Sequence, residues 1–229
     1  MLIPLRTDEP TRKSAIVTIL IIALNIAAFA YQKLSHILHD RDLIHIYGAI
    51  PAQLIHGVDP PLPSYMPYLS LLTYMFMHAG FVHIIGNMLF LNTFGPNVED
   101  TMGHLKFLFF YILCGLVSVL VYAIPNLISR SSYIPLVGAS GAIAGVMGAH
   151  FRTLPRTRIL CLFFILPVRL PAVVILFPWI LLQFYNVIIS EQSNVAWLAH
   201  IGGFIFGMLM ARKFQKAWIS RREYSSMDL

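Results

Sequence analysis

The sequence predicts an all-α membrane protein built as a six-transmembrane-helix bundle. Three observations carry that prediction. Hydrophobic residues make up 58% of the 229 positions and charged residues only 11%, against about 25% charged in a typical soluble domain, so most of the surface cannot face water. Six apolar segments are suited to crossing or entering a bilayer, for which about 20 apolar residues are needed. The positive charges alternate in density between successive connections, as membrane topology requires.

The first segment, 15–32, follows Arg6, Arg12 and Lys13. It is long for the apolar region of a signal peptide and no small-x-small cleavage site ends it, so it is expected to be a retained span. The stretch 33–80 mixes Pro51, Pro60, Pro61, Pro63 and Pro67 with the apolar run 68–77, and reads as an ordered loop lying partly in the interface. Segments 81–96 and 139–153 are short and open on polar or glycine-rich residues; each is expected to begin inside protein rather than in lipid. Between them lies 104–125. Glu99, Asp100 and Gly103 fall in the preceding turn, where they are expected to cap the third helix and fix the turn. The apolar run 159–167 is stopped by Pro167 and Arg169 and is expected to lie along the interface. Segments 170–188 and 194–212 complete the bundle. The domain division that follows is a cytoplasmic N-terminal segment 1–14, a membrane domain 15–212 and a basic cytoplasmic tail 213–229.

Placing the N-terminus in the cytoplasm puts Arg6, Arg12, Lys13, Lys106, Arg152, Arg156, Arg158, Arg212, Lys213, Lys216, Arg221 and Arg222 inside, and only Lys33, Arg41 and Arg130 outside, with Arg169 near the fifth span assigned to neither side. That bias implies both termini inside. The net charge of +6 therefore reads as topology and anionic headgroups. No basic stripe interleaved with aromatics points to nucleic acid. Cys114 and Cys161 lie in apolar stretches without a Cys-x-x-Cys pattern and read as buried thiols.

In this topology the starts of the second, fourth and sixth spans all lie near the outer face. His83 and Asn87, Ser140, and His200 occupy those starts. Ser140 lies in Gly138-Ala139-Ser140-Gly141, where a loop becomes a helix; the exposed N–H groups and dipole of that end suit a developing oxyanion. Taken alone, Gly138, Ser140, Gly141, Gly145 and Gly148 read first as a small-residue packing face. His200 is an ionisable residue in an apolar run, one turn before Gly203, with Gly207 a further turn on. Two small-x-x-x-small faces, Gly141/Gly145 and Gly203/Gly207, can pack closely and bring Ser140 to His200 as nucleophile and base. His83 and Asn87, four apart, share a helix face and can both donate hydrogen bonds to an oxyanion; as interhelical polar glue they would serve equally. His78 is assigned a supporting role. His150 is expected to lie outside the site. No buried carboxylate is evident to orient His200, so the arrangement would be a dyad.

The run His78-x4-His83-x3-Asn87, the Gly-x-Ser-Gly at 138–141 and Ala199-His200-x2-Gly203-x3-Gly207 together resemble the rhomboid family of intramembrane serine proteases, over residues 15–212. GASGAIAGVMGA, with LPA at 170–172, looks most like the bacterial branch. The resemblance implies a six-helix bundle with a recessed, water-filled site, a mobile fifth helix and an outer loop over the site. It implies Ser140 as nucleophile, His200 as base, and His83, Asn87 and the Ser140 N–H as the oxyanion hole. No cofactor or metal is implied; the partners would be membrane-protein substrates and the lipid bilayer, in a bacterial inner membrane. Two departures stand out. Many members carry an aromatic ring four residues after the serine, stacked on the histidine, where this chain has Ala144. Many carry a Trp-Arg pair in the first outer loop, absent from 33–67. The competing readings are a non-catalytic relative that binds membrane clients, and a metal transporter or metalloprotease using His78, His83 and His200. The latter lacks a His-Glu-x-x-His motif or a carboxylate in the set.

Overall fold

The computed structural model describes residues 2–40, 42–57, 63–126, 133–189 and 196–215. Its long helices are α1 (Ile16–His39), α5 (Phe81–Met102), α6 (His104–Asn126), α7 (Ser140–Thr153), α8 (Ala172–Ile189) and α9 (Trp197–Phe214), one for each predicted span. Residues 194 and 195 of the sixth predicted span, and the tail beyond 215, lie outside the described residues. Between α1 and α5 come three short helices, α2 (Leu43–Tyr47), α3 (Pro51–His56) and α4 (Met66–Thr73), the last running into a 3₁₀ turn at Tyr74–Phe76. The ordered loop expected at 33–80 is thus partly helical, except for residues 41 and 58–62, which lie outside the described residues.

Among the described residues three helices, Ile16–His39, His104–Ile124 and Ala172–Ile189, are long and apolar enough to cross a membrane by themselves. The pair Met66–Phe76 and Phe81–Met102 passes the same test jointly, with a bend of 76° between its two helices. The chain is a helical membrane bundle. Helix α7 is too short to pass that test, and its position explains why it need not. Ten consecutive residues, Gly141 to His150, are buried, so α7 is walled in by protein all round. Lipid is met by other helices: Ile16, Ile19, Leu20 and Leu24 of α1 point outward, whereas its buried side includes Thr18, Asn25, Gln32 and Ser35. The interior is still mainly apolar, with residues such as Leu91, Phe94, Phe107 and Phe110 fully buried, and the polar side chains of α1 face neighbouring helices.

Helix α5 outruns its predicted end at Pro96 and continues to Met102. Tertiary bonds explain this. The Asn97 amide donates to the Glu9 carbonyl (2.9 Å) and accepts from the Thr7 hydroxyl (2.5 Å). Glu99, 1% exposed, accepts from the backbone N–H groups of Val17 and Thr18 at 2.9 and 2.8 Å and from the Thr18 hydroxyl at 2.7 Å. Asp100 accepts from the N–H groups of Arg12 and Lys13. Glu99 therefore serves the N-terminus of α1, whose N–H groups lack intrahelical partners, and Asp100 the backbone just before it, correcting the expectation that the two carboxylates cap the third helix, while Gly103, at φ 82°, makes the turn. Glu99 also meets His104 Nδ1 at 2.6 Å, so one buried carboxylate ties α1, α5 and α6 together. Replacing Glu99 with glutamine turns an acceptor oxygen into a donor facing donors. It should lower bundle stability by about 3 kcal/mol, read as a reduced unfolding temperature in detergent. An unchanged unfolding temperature would show that the tie contributes nothing.

The segment 159–167 is paired strand, with the apolar side chains of Phe163, Phe164, Ile165 and Leu166 exposed at its tip. It forms an antiparallel hairpin, β2 (Arg158–Phe163) and β3 (Leu166–Pro171), turning at Phe164 with φ 55°. The N-terminal residues Leu2–Thr7, β1, add to it in the order β1-β2-β3. Pro4, Pro167 and Pro171 fall on the two edge strands and none on central β2, which is where a residue without an N–H can sit. Ile159 and Cys161 point inward and are fully buried. The sheet leans on α5, where the Thr93 hydroxyl donates to the Pro4 carbonyl.

Candidate active site

The loop before α7 is held at three points. Ala49 and Leu136 exchange backbone hydrogen bonds of 3.0 and 2.8 Å, and the Gly138 N–H donates to the Tyr74 carbonyl at 2.9 Å. Gly138 has φ 107°, a conformation that disfavours any side chain. It also has no room for one: a Cβ there would stand 2.7 Å from His83 Nε2 and 3.3 Å from Asn87 Nδ2. The chain backbone two residues before Ser140 therefore lies directly against the His83/Asn87 face of α5.

Ser140 opens α7, and its Oγ lies 2.8 Å from Nε2 of His200 on α9. The approach rests on glycine. A Cβ on Gly203 would stand 3.0 Å from the Gly141 carbonyl carbon, and one on Gly207 2.6 Å from the Gly145 carbonyl carbon and Cα. The two backbones touch, as small-residue faces permit. Gly141 serves two neighbours, since its own Cβ would meet Ser118 Cβ of α6 at 2.6 Å.

Asn87 is 7% exposed, and its Nδ2 has no hydrogen-bond partner among the described residues. Such a buried donor is costly unless something accepts from it. His83 is partly buried and its Nδ1 accepts from the Ala79 N–H at 3.4 Å, leaving Nε2, the atom facing Gly138, as the N–H donor of a neutral ring. His78 stands behind His83, with ring centroids 5.1 Å apart. It is fully buried, and its backbone is gripped by the Gln32 side chain, which donates to the His78 carbonyl and accepts from its N–H. It supports His83 rather than reaching Ser140. His150 is buried at the other end of α7, edge-on to Phe94, ten residues and so about 15 Å of helix away from Ser140.

Sequence reasoning missed the residues that flank His200. Its Nδ1 lies 2.9 Å from Oε1 of Gln183. Its ring lies 5.8 Å from that of Trp179, tilted by 35°, and 6.1 Å from that of Trp197, edge-on. Gln183 and Trp179 both belong to α8, one turn apart. With Ala144 at the position that would carry a supporting ring, α8 and the start of α9 supply contacts from the other side. A signal was available: Gln183 is one of two amide side chains in the otherwise apolar α8, and a polar side chain in such a helix is a functional candidate by default.

Comparison with known proteins agrees with this architecture. The Rhomboid domain family matches residues 67–216. The chain is 28% identical over 166 residues to RHOMBOID-like protein 6, mitochondrial, of Arabidopsis thaliana, covering 68% of this chain and 48% of that protein. It is 29% identical over 154 residues to the rhomboid protein YdcA of Bacillus subtilis (strain 168), covering 65% and 70%. It is 27% identical over 143 residues to the presenilin-associated rhomboid-like protein, mitochondrial, of Homo sapiens, covering 62% and 34%. The matched region spans half or less of the length of the plant and mammalian relatives and most of the bacterial one. A helical membrane bundle, a serine and a histidine joined across a glycine seam, and a family match reaching from α4 to the end of α9 lead to one conclusion: the chain belongs to the rhomboid family.

Proposed function

We propose that the protein is an intramembrane serine endopeptidase that cleaves other membrane proteins in or beside their spanning helices. The observation that carries this reading is the 2.8 Å contact between Ser140 Oγ and His200 Nε2 at a helix N-terminus facing His83 and Asn87. In the proposed reaction, Ser140 Oγ attacks the scissile carbonyl carbon while its proton passes to His200 Nε2. The carbonyl oxygen becomes an oxyanion that accepts from His83 Nε2–H, Asn87 Nδ2–H and the Ser140 N–H, each such donor contributing about 3 kcal/mol to the transition state. The C–N bond breaks, His200 returns the proton to the departing amine, and an acyl ester remains on Ser140. Water then attacks the ester with His200 again as base, releasing the carboxylic acid and restoring the serine. No metal or organic cofactor takes part.

In this reading both termini face the cytoplasm of a bacterial inner membrane and the Ser140 end of the bundle faces outward, as the distribution of Lys and Arg favours. Substrate helices with small or helix-breaking residues near that end would unwind into the site most readily. A fluorophosphonate probe tests the chemistry directly. The detergent-solubilised protein should acquire one adduct, mapped by mass spectrometry to Ser140, and labelling should vanish in His200→Ala. Absence of labelling in active-fold protein would favour the client-binding reading; chelator-sensitive activity without labelling would favour the metal-dependent one.

A further inference from the structure

We infer that Gln183 is a positioning residue: it holds His200 in the tautomer with its proton on Nδ1, so that Nε2 is bare and can accept the Ser140 proton. The inference rests on the proposed role of His200 as general base, and it concerns this chain's own α8 rather than the serine and histidine themselves.

The argument runs through the amide. Gln183 Nε2 donates to the Trp179 carbonyl at 3.0 Å. That bond fixes which end of the amide faces His200, because the flipped amide would set two acceptor oxygens against each other. With Nε2 so engaged, the atom 2.9 Å from His200 Nδ1 is the oxygen Oε1, which carries no hydrogen. A hydrogen bond at that distance therefore requires the hydrogen on Nδ1. A neutral imidazole has only one N–H, so Nε2 is left with a lone pair, aimed at the Ser140 hydroxyl 2.8 Å away. The opposite tautomer would confront two lone pairs at Gln183 and make Ser140 Oγ the acceptor of an Nε2–H, so that Nε2 could not take the serine proton. A buried carboxylate could do the same work, but Glu99 is committed to the N-terminus of α1 and to His104. Trp179 adds a ring contact from the same helix. Helix α8 thus supplies a hydrogen-bond acceptor and a ring to His200, and the base is poised only while α8 is docked on α9.

The test compares wild type with Gln183→Leu and Gln183→Glu in proteoliposomes, using a test transmembrane substrate and, separately, ¹⁵N-histidine spectra with His200 assigned by its loss in His200→Ala. Leucine removes the acceptor at similar volume. It should lower kcat about 10- to 100-fold, the range for losing an orienting partner of a proton-transfer group, with KM within about twofold because no substrate contact is lost. Glutamate gives up the bond to the Trp179 carbonyl but keeps an acceptor facing Nδ1, and should recover most of the lost rate. In the spectra, His200 should be the Nδ1–H form in wild type and Gln183→Glu, and a mixture in Gln183→Leu. Unchanged kcat in Gln183→Leu, equal losses in both variants, or a wild-type His200 protonated on Nε2 would each overturn the inference. The spectra also separate it from the protease reading. If wild type neither cleaves nor labels yet His200 changes tautomer in Gln183→Leu, positioning stands and the protease reading falls. If wild type cleaves and Gln183→Leu matches it, only the positioning role falls.

Discussion

Replacing Ser140 with alanine should cut the rate of substrate cleavage by about 10⁴-fold or more, and His200→Ala should do the same, with the double variant no slower than either single one. Nucleophile and base act as one unit, so losing either member forfeits nearly the whole effect, and the second loss adds little. What survives is binding and oxyanion stabilisation without a nucleophile. The variants should fold. Ser140 Oγ contacts His200 Nε2 at 2.8 Å, and the serine is partly buried at a helix start, so alanine leaves the neighbouring backbone undisturbed. The measurement is product formation from a test transmembrane substrate in liposomes, alongside the unfolding temperature of each variant. Ser140→Ala that still cleaves at the wild-type rate would remove the serine mechanism. Multiplicative losses in the double variant would mean that the two side chains act separately, and the 2.8 Å contact would not be the working one.

The bundle and its central contact were legible because they rest on covalent spacing. Gly141 and Gly145, like Gly203 and Gly207, are four apart, and that spacing puts each pair on one helix face whatever surrounds it. The backbone approach of α7 to α9 follows, and with it the approach of Ser140 to His200. His83 and Asn87 share a face of α5 for the same reason. What was not legible depended on partners far away in the chain. The run 159–167 is apolar and looks interfacial by composition; its strand β2 becomes the centre of a sheet because Leu2–Thr7, more than 150 residues earlier, pairs along the edge that β3 leaves free. The burial of Glu99 was hidden because its partners Val17 and Thr18 lie some 80 residues away. Pro96 marked a helix end that the bonds of Asn97 and Glu99 override. Gln183 was hidden for a different reason: a lone amide among apolar residues announces that it has a partner without naming it. Only the packing of α8 on α9 identifies that partner as His200.

The glycine seam makes the second large prediction, because it carries both the fold and the site. Gly207→Ala places a Cβ 2.6 Å from the carbonyl carbon and Cα of Gly145. These are backbone atoms of a helix buried on all sides, so no side chain can rotate away to relieve the clash. Helices α7 and α9 must separate, and the bundle should lose about 3 kcal/mol or more, the upper end for overpacking a close-packed interior. The separation also falls within two helical turns of His200, so the Ser140–His200 contact should lengthen, and a misplacement near 1 Å can lower the rate about 10²-fold. Gly86→Ala is the matched control. It lies within helix α5, and a Cβ there meets nothing within 4 Å. It should be neutral or stabilising by up to about 1 kcal/mol, because alanine favours a helix more than glycine does. Thermal unfolding and cleavage rate, measured on both variants in the same detergent, separate the two cases. Gly207→Ala with wild-type stability would show that α7 and α9 do not meet through their backbones. The histidine would then have no structural reason to stand beside the serine.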